Sequence, residues 1–265
     1  MARSTEIAVV YGGGLAQGLA LVSFPAAATI LTAADGYGLS SNQYGSIFLP
    51  LFAGSVLASL LAPTLARRRS LKTVLLAGFG CNALSMATFA LSATLTGMAE
   101  LAFAMVLAAT GLLGLGFGAT LTAINAYAAS FFPHRGETAI TALHTLLGTG
   151  TALAPLIVSL LAEGGAWWLL PASIAAAVVV LAGVALTQPL VLPSAGGEAP
   201  ALAAAAVARA LPLRFWIWIA FALLYGICMA SAKPCSAIGE PSTCTSSAPF
   251  PMRPPIWRSR CSGQR

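Results

Sequence analysis

Between residues 7 and 186 the chain is a succession of apolar runs, each about 20 residues or longer, separated by connections of four to ten residues. A helix rises ~1.5 Å per residue, so a run of about 20 crosses a ~30 Å hydrocarbon core. No water reaches the backbone at that depth, so each run must satisfy its own amides and carbonyls as a helix. Six spans are expected, over 7–33, 44–66, 71–94, 101–131, 138–161 and 167–186, and a further apolar run begins at 213. Only 8% of the residues are charged and 58% are hydrophobic, with a mean hydropathy of +0.87, whereas a soluble domain carries roughly 25% charged residues. The expected fold is an all-α membrane protein: a six-helix bundle, built as a 3+3 inverted repeat, with a truncated seventh helix.

Charge sets the orientation. Residues 1–232 hold eight Lys or Arg against six Asp or Glu, and most of the net +6 comes from the last 33 residues. The connections "ADGYGLSSNQ", "TGMAE" and "EGGA" hold no basic residue, while Arg3, "RRRSLK", "HRGE", Arg209 and Arg214 fall on the other side. The positive-inside rule assigns that side to the cytoplasm. A multi-pass protein of the cell membrane with a cytoplasmic N-terminus is therefore expected, with the lipid bilayer as its solvent and no nucleic-acid partner. No cleavable signal is expected, because the first apolar run is too long and leads into others.

Six helices with both ends on one side invite a search for an internal repeat. At an offset of 100, residues 14–28 overlay 114–128 with matches at Gly14, Leu15, Gly18, Leu21, Ala26 and Ala28, which pairs the first span with the fourth. The glycine clusters "GGGLAQG" and "GLLGLGFG" follow no strand and lack the Lys-Ser/Thr ending of a phosphate loop. Gly111, Gly114 and Gly118, and likewise Gly148, Gly150 and Pro155, are instead expected to form smooth faces for close helix packing. Pro155 removes a backbone donor and favours a kink.

Polar groups inside a bilayer are costly, so each is a candidate for function. By depth, Gln17 and Asn82 fall near the midplane, while Asn125 and His144 share a depth of about 10 Å, which allows them to meet. Each either lines a cavity or bonds a neighbour within the bundle. Tyr11 and Tyr127 offer hydroxyls to a cavity or, on the preferred reading, anchor at an interface. Asp35, Glu100 and Glu163 lie at outer helix ends and Glu137 in a basic loop, so no mid-membrane carboxylate is expected for ion coupling. His134 and His144 lack the carboxylate or cysteine neighbours of a metal site or an activated nucleophile. An enzyme, a metal and a cofactor are accordingly not expected.

Taken together, "APTLARRRSLK" at the second loop and "NAYAASFFPHRGETAITALHTLLGTGTALAP" across the fourth and fifth spans resemble the amino-terminal half of a major facilitator superfamily transporter, of the sugar-permease-like branches. The likeness covers residues 5 to about 228. It departs from the family pattern where Ala62 replaces a common Gly and Ala66 a common Asp. The resemblance implies two six-helix bundles rocking about a central cavity. On this chain it implicates Gln17, Asn125, His144 and Tyr127 as cavity residues, and Arg67, Arg68, Arg69 and Arg135 as a cytoplasmic gating loop. The implied function is secondary transport of a small polar solute, sugar-like or another small metabolite, coupled to a proton or a sodium ion where an ion is used. A lone bundle is expected to be an inactive half unless two copies pair as a homodimer. The rival reading is a non-transporting membrane scaffold, in which the same polar residues serve only helix contacts.

Residues 1–187 read as the bundle, 188–212 as a cytoplasmic linker rich in Pro and Ala, 213–232 as a partial seventh span, and 233–265 as a disordered tail of unrelated composition. "KPCSAIGEPSTCT" can be encoded so that the frame one base earlier reads "ETLFGNWGAIYLH", a coherent continuation of a seventh helix. The tail is therefore expected to be an out-of-frame product with its junction between about 226 and 233. Sequencing the gene checks this: the neighbouring frame should continue into five more hydrophobic helices, and a frame that does not sinks the idea.

Overall fold

The computed structural model describes residues 4–190, which lie within one compact unit. From residue 191 on, the expected linker, together with the seventh span and the tail, falls outside the described residues. Every regular element within them is helical: α1 (Ser4–Ala26), α2 (Ala28–Thr32), α3 (Ser41–Ser46), α4 (Phe48–Arg68), α5 (Leu71–Ser92) with a 3-10 turn to Leu95, α6 (Ala99–Phe131), α7 (Gly136–Glu163) and α8 (Leu169–Thr187). Read with their extensions, six helical segments are long and apolar enough to span a membrane: Ser4–Thr32, Ser41–Arg68, Leu71–Leu95, Ala99–Phe131, Gly136–Glu163 and Leu169–Thr187. The protein is thus a multi-pass membrane protein, all-helical among the described residues.

Local chemistry sets the ends of these helices. Ser40 and Gln43 form a reciprocal capping box at the start of α3, and the Ser70 hydroxyl accepts from the Thr73 amide at the start of α5. Each occupies a backbone donor that the first turn leaves over. α7 ends where Gly165 adopts φ +69°, the left-handed conformation that glycine takes without a Cβ penalty. That turn lets the Ala166 amide reach back to the Leu161 carbonyl at 2.9 Å. Pro63 and Pro155 sit inside α4 and α7, and both helices run on through them as single elements.

α1, α5, α6 and α8 make the body of the bundle, and α4 and α7 lie against one side of it each, α4 on α6 and α7 on α1. Only 17% of the apolar window of the second span and 17% of that of the fifth is buried, against 56% of the first. Two backbone approaches attach these outer helices. A Cβ built on Gly18 would collide with the Leu147 carbonyl oxygen, and one on Gly150 with the Leu15 carbonyl oxygen, so α1 and α7 touch main chain to main chain. A Cβ on Gly114 would collide with the Leu51 carbonyl oxygen, and one on Gly54 would lie 2.9 Å from the Gly111 carbonyl oxygen, so α6 and α4 do the same. Every member of the first set lies 96 residues from its counterpart in the second: 18 and 114, 54 and 150, 51 and 147, 15 and 111. The spatial register is one helical turn from the 100-residue overlay of the sequences.

The remaining glycines and Pro155 divide by position. Gly118 packs against α4, where a Cβ would collide with the Ser55 carbonyl oxygen, while a Cβ on Gly111 would make only an ordinary 3.5 Å contact with Pro50. Gly148 faces open space, and Pro155 is exposed. Close packing therefore uses Gly114, Gly118 and Gly150, and Gly148 contributes nothing to it within the described residues. The reason is rotation: two residues along a helix turn a side chain about 200° away.

At the end of the bundle away from the arginines, the connection after α2 folds back so that Tyr37 is fully buried. Its ring lies edge-on to Trp167 at 6.1 Å, and Phe89 bridges Trp167 and Phe24. The Tyr37 hydroxyl and Ser92 Oγ are 2.7 Å apart. Burial pushes the Tyr37 phenol up to about 12, against a smaller lowering from Ser92, so it stays a neutral hydroxyl at physiological pH. The opposite end is fastened by polar bonds: Tyr11 to the Ala139 carbonyl at 3.0 Å, Thr5 to Gln188 at 3.0 Å, and Lys72 Nζ to the carbonyls of Leu186 at 2.9 Å and Gln188 at 2.7 Å. Lys72 thereby satisfies carbonyls that the end of α8 leaves over and sits at the negative end of its dipole.

Glycine size makes a sharp prediction. Gly18→Ala and Gly114→Ala should each lower unfolding stability in micelles by about 1–3 kcal/mol, because backbone must move to admit the methyl group. Gly148→Ala should be neutral or stabilising by up to about 1 kcal/mol, since only helix propensity changes. Denaturant unfolding of the three variants checks the order.

Candidate functional site

The buried polar groups meet at one node. α1 contributes Gln17, α5 contributes Asn82 and α6 contributes Thr120, and the three are 2%, 2% and 0% exposed. Asn82 Nδ2 donates to Gln17 Oε1 at 2.7 Å and to Thr120 Oγ1 at 3.1 Å. The node depends on an absent side chain, because a Cβ at Gly116 would collide with Asn82 Oδ1. Gly78 and Ser85 extend the same seam: a Cβ on Gly78 would collide with Thr120 Oγ1, and the Ser85 hydroxyl donates to the Ala109 carbonyl at 2.6 Å. Gln17 Nε2 and Asn82 Oδ1 remain without a hydrogen-bond partner. Turning both amides over reverses the donor but still leaves each with one unpaired atom. An amide pair with a hydroxyl has no group that changes charge near neutral pH, so its chemistry is cohesion of three helices. Gln17, expected at a cavity or in a helix contact, makes the helix contact.

The other expected cavity residues make no hydrogen bond to this node or to one another among the described residues. Tyr127 is fully buried, and its hydroxyl donates to the Leu190 carbonyl at 3.0 Å. It is therefore neither an interface anchor nor a free cavity hydroxyl; it fastens the chain just beyond α8. Asn125 is half-buried, and its Oδ1 is buried without a partner. His144 is exposed on α7, and no hydrogen bond joins it to Asn125 among the described residues. Leu143 packs against Gly14 of α1, and the next residue, about 100° further round, is directed away from that contact.

His144 belongs instead to a polar face. Thr138, Thr141, His144, Thr145 and Thr149 are all exposed on α7. The hydroxyls of Thr141, Thr145 and Thr149 each donate to a carbonyl one turn earlier, at 2.8, 2.9 and 2.9 Å. Beyond them the exposed residues turn apolar at Leu153, Leu156 and Leu160. The other weakly covered helix differs: α4 exposes Leu49, Phe52, Val56, Leu57, Leu60, Leu61 and Leu65 along its length. Polar residues therefore line one of the two outlying helices over its first half, and the other is leucine-faced.

Arg67, Arg68, Arg69 and Arg135 are exposed, and no ion pair joins any of them to a carboxylate among the described residues. The acid that the sequence reading passed over is Glu6. It is 8% exposed in the first turn of α1, where a negative charge complements the helix dipole, and it lies within electrostatic reach of Tyr127. Its signal was the helical spacing from Glu6 to Val10, Gly13 and Gln17, which puts it on the inward face of α1. No group of three or more His, Cys, Asp or Glu able to hold a metal occurs among the described residues. No family model, curated protein or solved structure matches the chain.

A double-mutant cycle tests the node. Gln17→Leu and Asn82→Leu should each destabilise the protein, and the double variant should be less destabilised than their sum, with a coupling of about 0.5–2 kcal/mol. Strict additivity would mean that the two amides do not act on each other.

Proposed function

We propose that this chain carries the six-helix bundle of a secondary transporter, similar to the major facilitator type, that moves a small polar solute by alternating access without ATP. The observation that carries this reading is the recurrence, 96 residues apart, of one backbone contact between α1 and α7 and between α6 and α4. Within each pair the helices run parallel, since residues 14 and 18 of α1 meet 143 and 147 of α7 in order. α1 and α6 run antiparallel, since Gly13 of α1 neighbours Ile124 of α6 while Gln17 shares Asn82 with Thr120. A three-helix unit used twice with opposite membrane orientation produces this pattern, and it is the architecture in which secondary transporters place a site near the bilayer midplane.

On this reading the solute path runs along the polar face of α7, with His144 and Asn125 as its candidate contacts, and a second bundle or a second copy supplies the opposing wall. Gln17 acts through packing. The arginine-bearing end is cytoplasmic by the positive-inside rule, with the N-terminus on that side. His144 is the group on the path able to take part in proton coupling. A non-transporting scaffold is the second reading, favoured by the burial of Gln17 and Asn82 in each other.

Thiol accessibility separates the two. In a chain whose five cysteines are replaced by serine, single cysteines at Thr141, Thr145 and Thr149 should react with a membrane-impermeant maleimide, and those at Leu156 and Leu160 should not. Protection of the reactive positions by one member of a panel of small sugars would identify the solute class. If Thr145 and Thr149 are as unreactive as Leu156, the face borders lipid or protein and the transport path is lost.

A further inference from the structure

Arg67, Arg68 and Arg69 close α4 and are exposed, with no carboxylate partner among the described residues. Ala66, the residue before them, brings none. Three adjacent guanidinium groups without counter-charge are a strong attractor for an oxyanion, because each presents a fork of donors that fits phosphate oxygens. Directly below them on the same helix lies the leucine face. Arg68 follows Leu61 by seven residues and Leu65 by three, so it continues the stripe that Leu57, Leu61 and Leu65 expose at 51%, 55% and 37%. From Leu57 to Leu65 that stripe runs about 12 Å into the hydrocarbon core. α4 packs on α6 through Gly54, Ser55 and Ala58, and beside that contact Leu57 and Leu61 stay exposed among the described residues.

A basic cluster at the head of an exposed apolar ridge matches the two halves of one molecule. We propose that the α4 ridge and Arg67, Arg68 and Arg69 form a binding site for an anionic phospholipid, with the headgroup phosphate held by the arginines and an acyl chain laid along Leu65, Leu61 and Leu57. A soluble phosphate compound would use the arginines and leave the ridge bare, and the ridge is what makes a lipid the occupant. Anionic headgroups near a membrane surface attract each basic side chain, and the apolar contact adds what a freely diffusing anion lacks. The site lies on α4, whereas the polar face lies on α7. It fixes the edge of the bundle in the leaflet that carries the negative charge.

The test is retention of lipid by the full chain in native mass spectrometry, from micelles holding equal amounts of phosphatidylglycerol and phosphatidylcholine. The wild type should favour the anionic lipid on the order of 100-fold, as expected of three basic side chains at a membrane surface. Replacing Arg67, Arg68 and Arg69 together by Gln should bring that preference to within about threefold, while replacing them by Lys should keep most of it. Equal retention of the two lipids by the wild type overturns the proposal, as does an undiminished preference in the Gln variant. If the Gln variant does not fold, the wild type still decides: a preference unchanged at about 1 M salt, where the screening length falls to ~3 Å, is not held by charge and overturns the proposal.

Discussion

Backbone contact at four glycines, Gly18, Gly54, Gly114 and Gly150, attaches the two outlying helices to the rest of the bundle. In lipid no hydrophobic force draws one helix to another, since the surrounding chains are as apolar as leucine. Attraction comes from the number of atoms brought to contact distance, and glycine raises that number by letting main chains approach. The consequence spreads outward. α7 packs chiefly on α1 and α4 chiefly on α6, so most of the surface of both remains uncovered, and it is on those surfaces that the protein shows its two contrasting characters. One carries threonines and a histidine, the other leucines closed by arginines.

The polar node at Gln17, Asn82 and Thr120 complements the glycine seams. It joins α1, α5 and α6, which none of the four glycine contacts does, and Gly116 supplies the space that Asn82 occupies. A buried amide pair in a bilayer gives a modest energy and a strict geometry, because displacing either helix strands two amides in hydrocarbon. The bundle is thus joined at its centre by polar bonds and at two sides by glycine contacts.

Much of this was legible from the residues. The six spans agree with the helices to within a few residues, because the physical requirement, apolar length matched to bilayer thickness, is local and one-dimensional. Depth arithmetic put Gln17 and Asn82 at the same level, and they bond at 2.7 Å. The same arithmetic put Asn125 and His144 at one level, and there the structure differs: Leu143 takes the inward position on α7, so His144 turns out. Depth is a property of sequence position, whereas azimuth depends on which neighbour a helix chooses. Glu6 escaped notice for a related reason. It was one residue before the first span, and only the inward rotation of α1 makes it buried.

What the sequence determined by itself was therefore the class of solvent, the number and length of the helices, and the sidedness of their charge, since each follows from composition along the chain. What only the tertiary structure decided was which faces meet. The glycines at 111, 114, 118, 148 and 150 are chemically alike, yet Gly114, Gly118 and Gly150 carry tight contacts and Gly148 faces open space. The two candidate repeats differ by four residues, 100 in sequence against 96 in space, because a helix slid by one turn presents nearly the same face to its neighbour. Sequence matching is almost blind to that shift. A collision between a methyl group and a carbonyl oxygen is not.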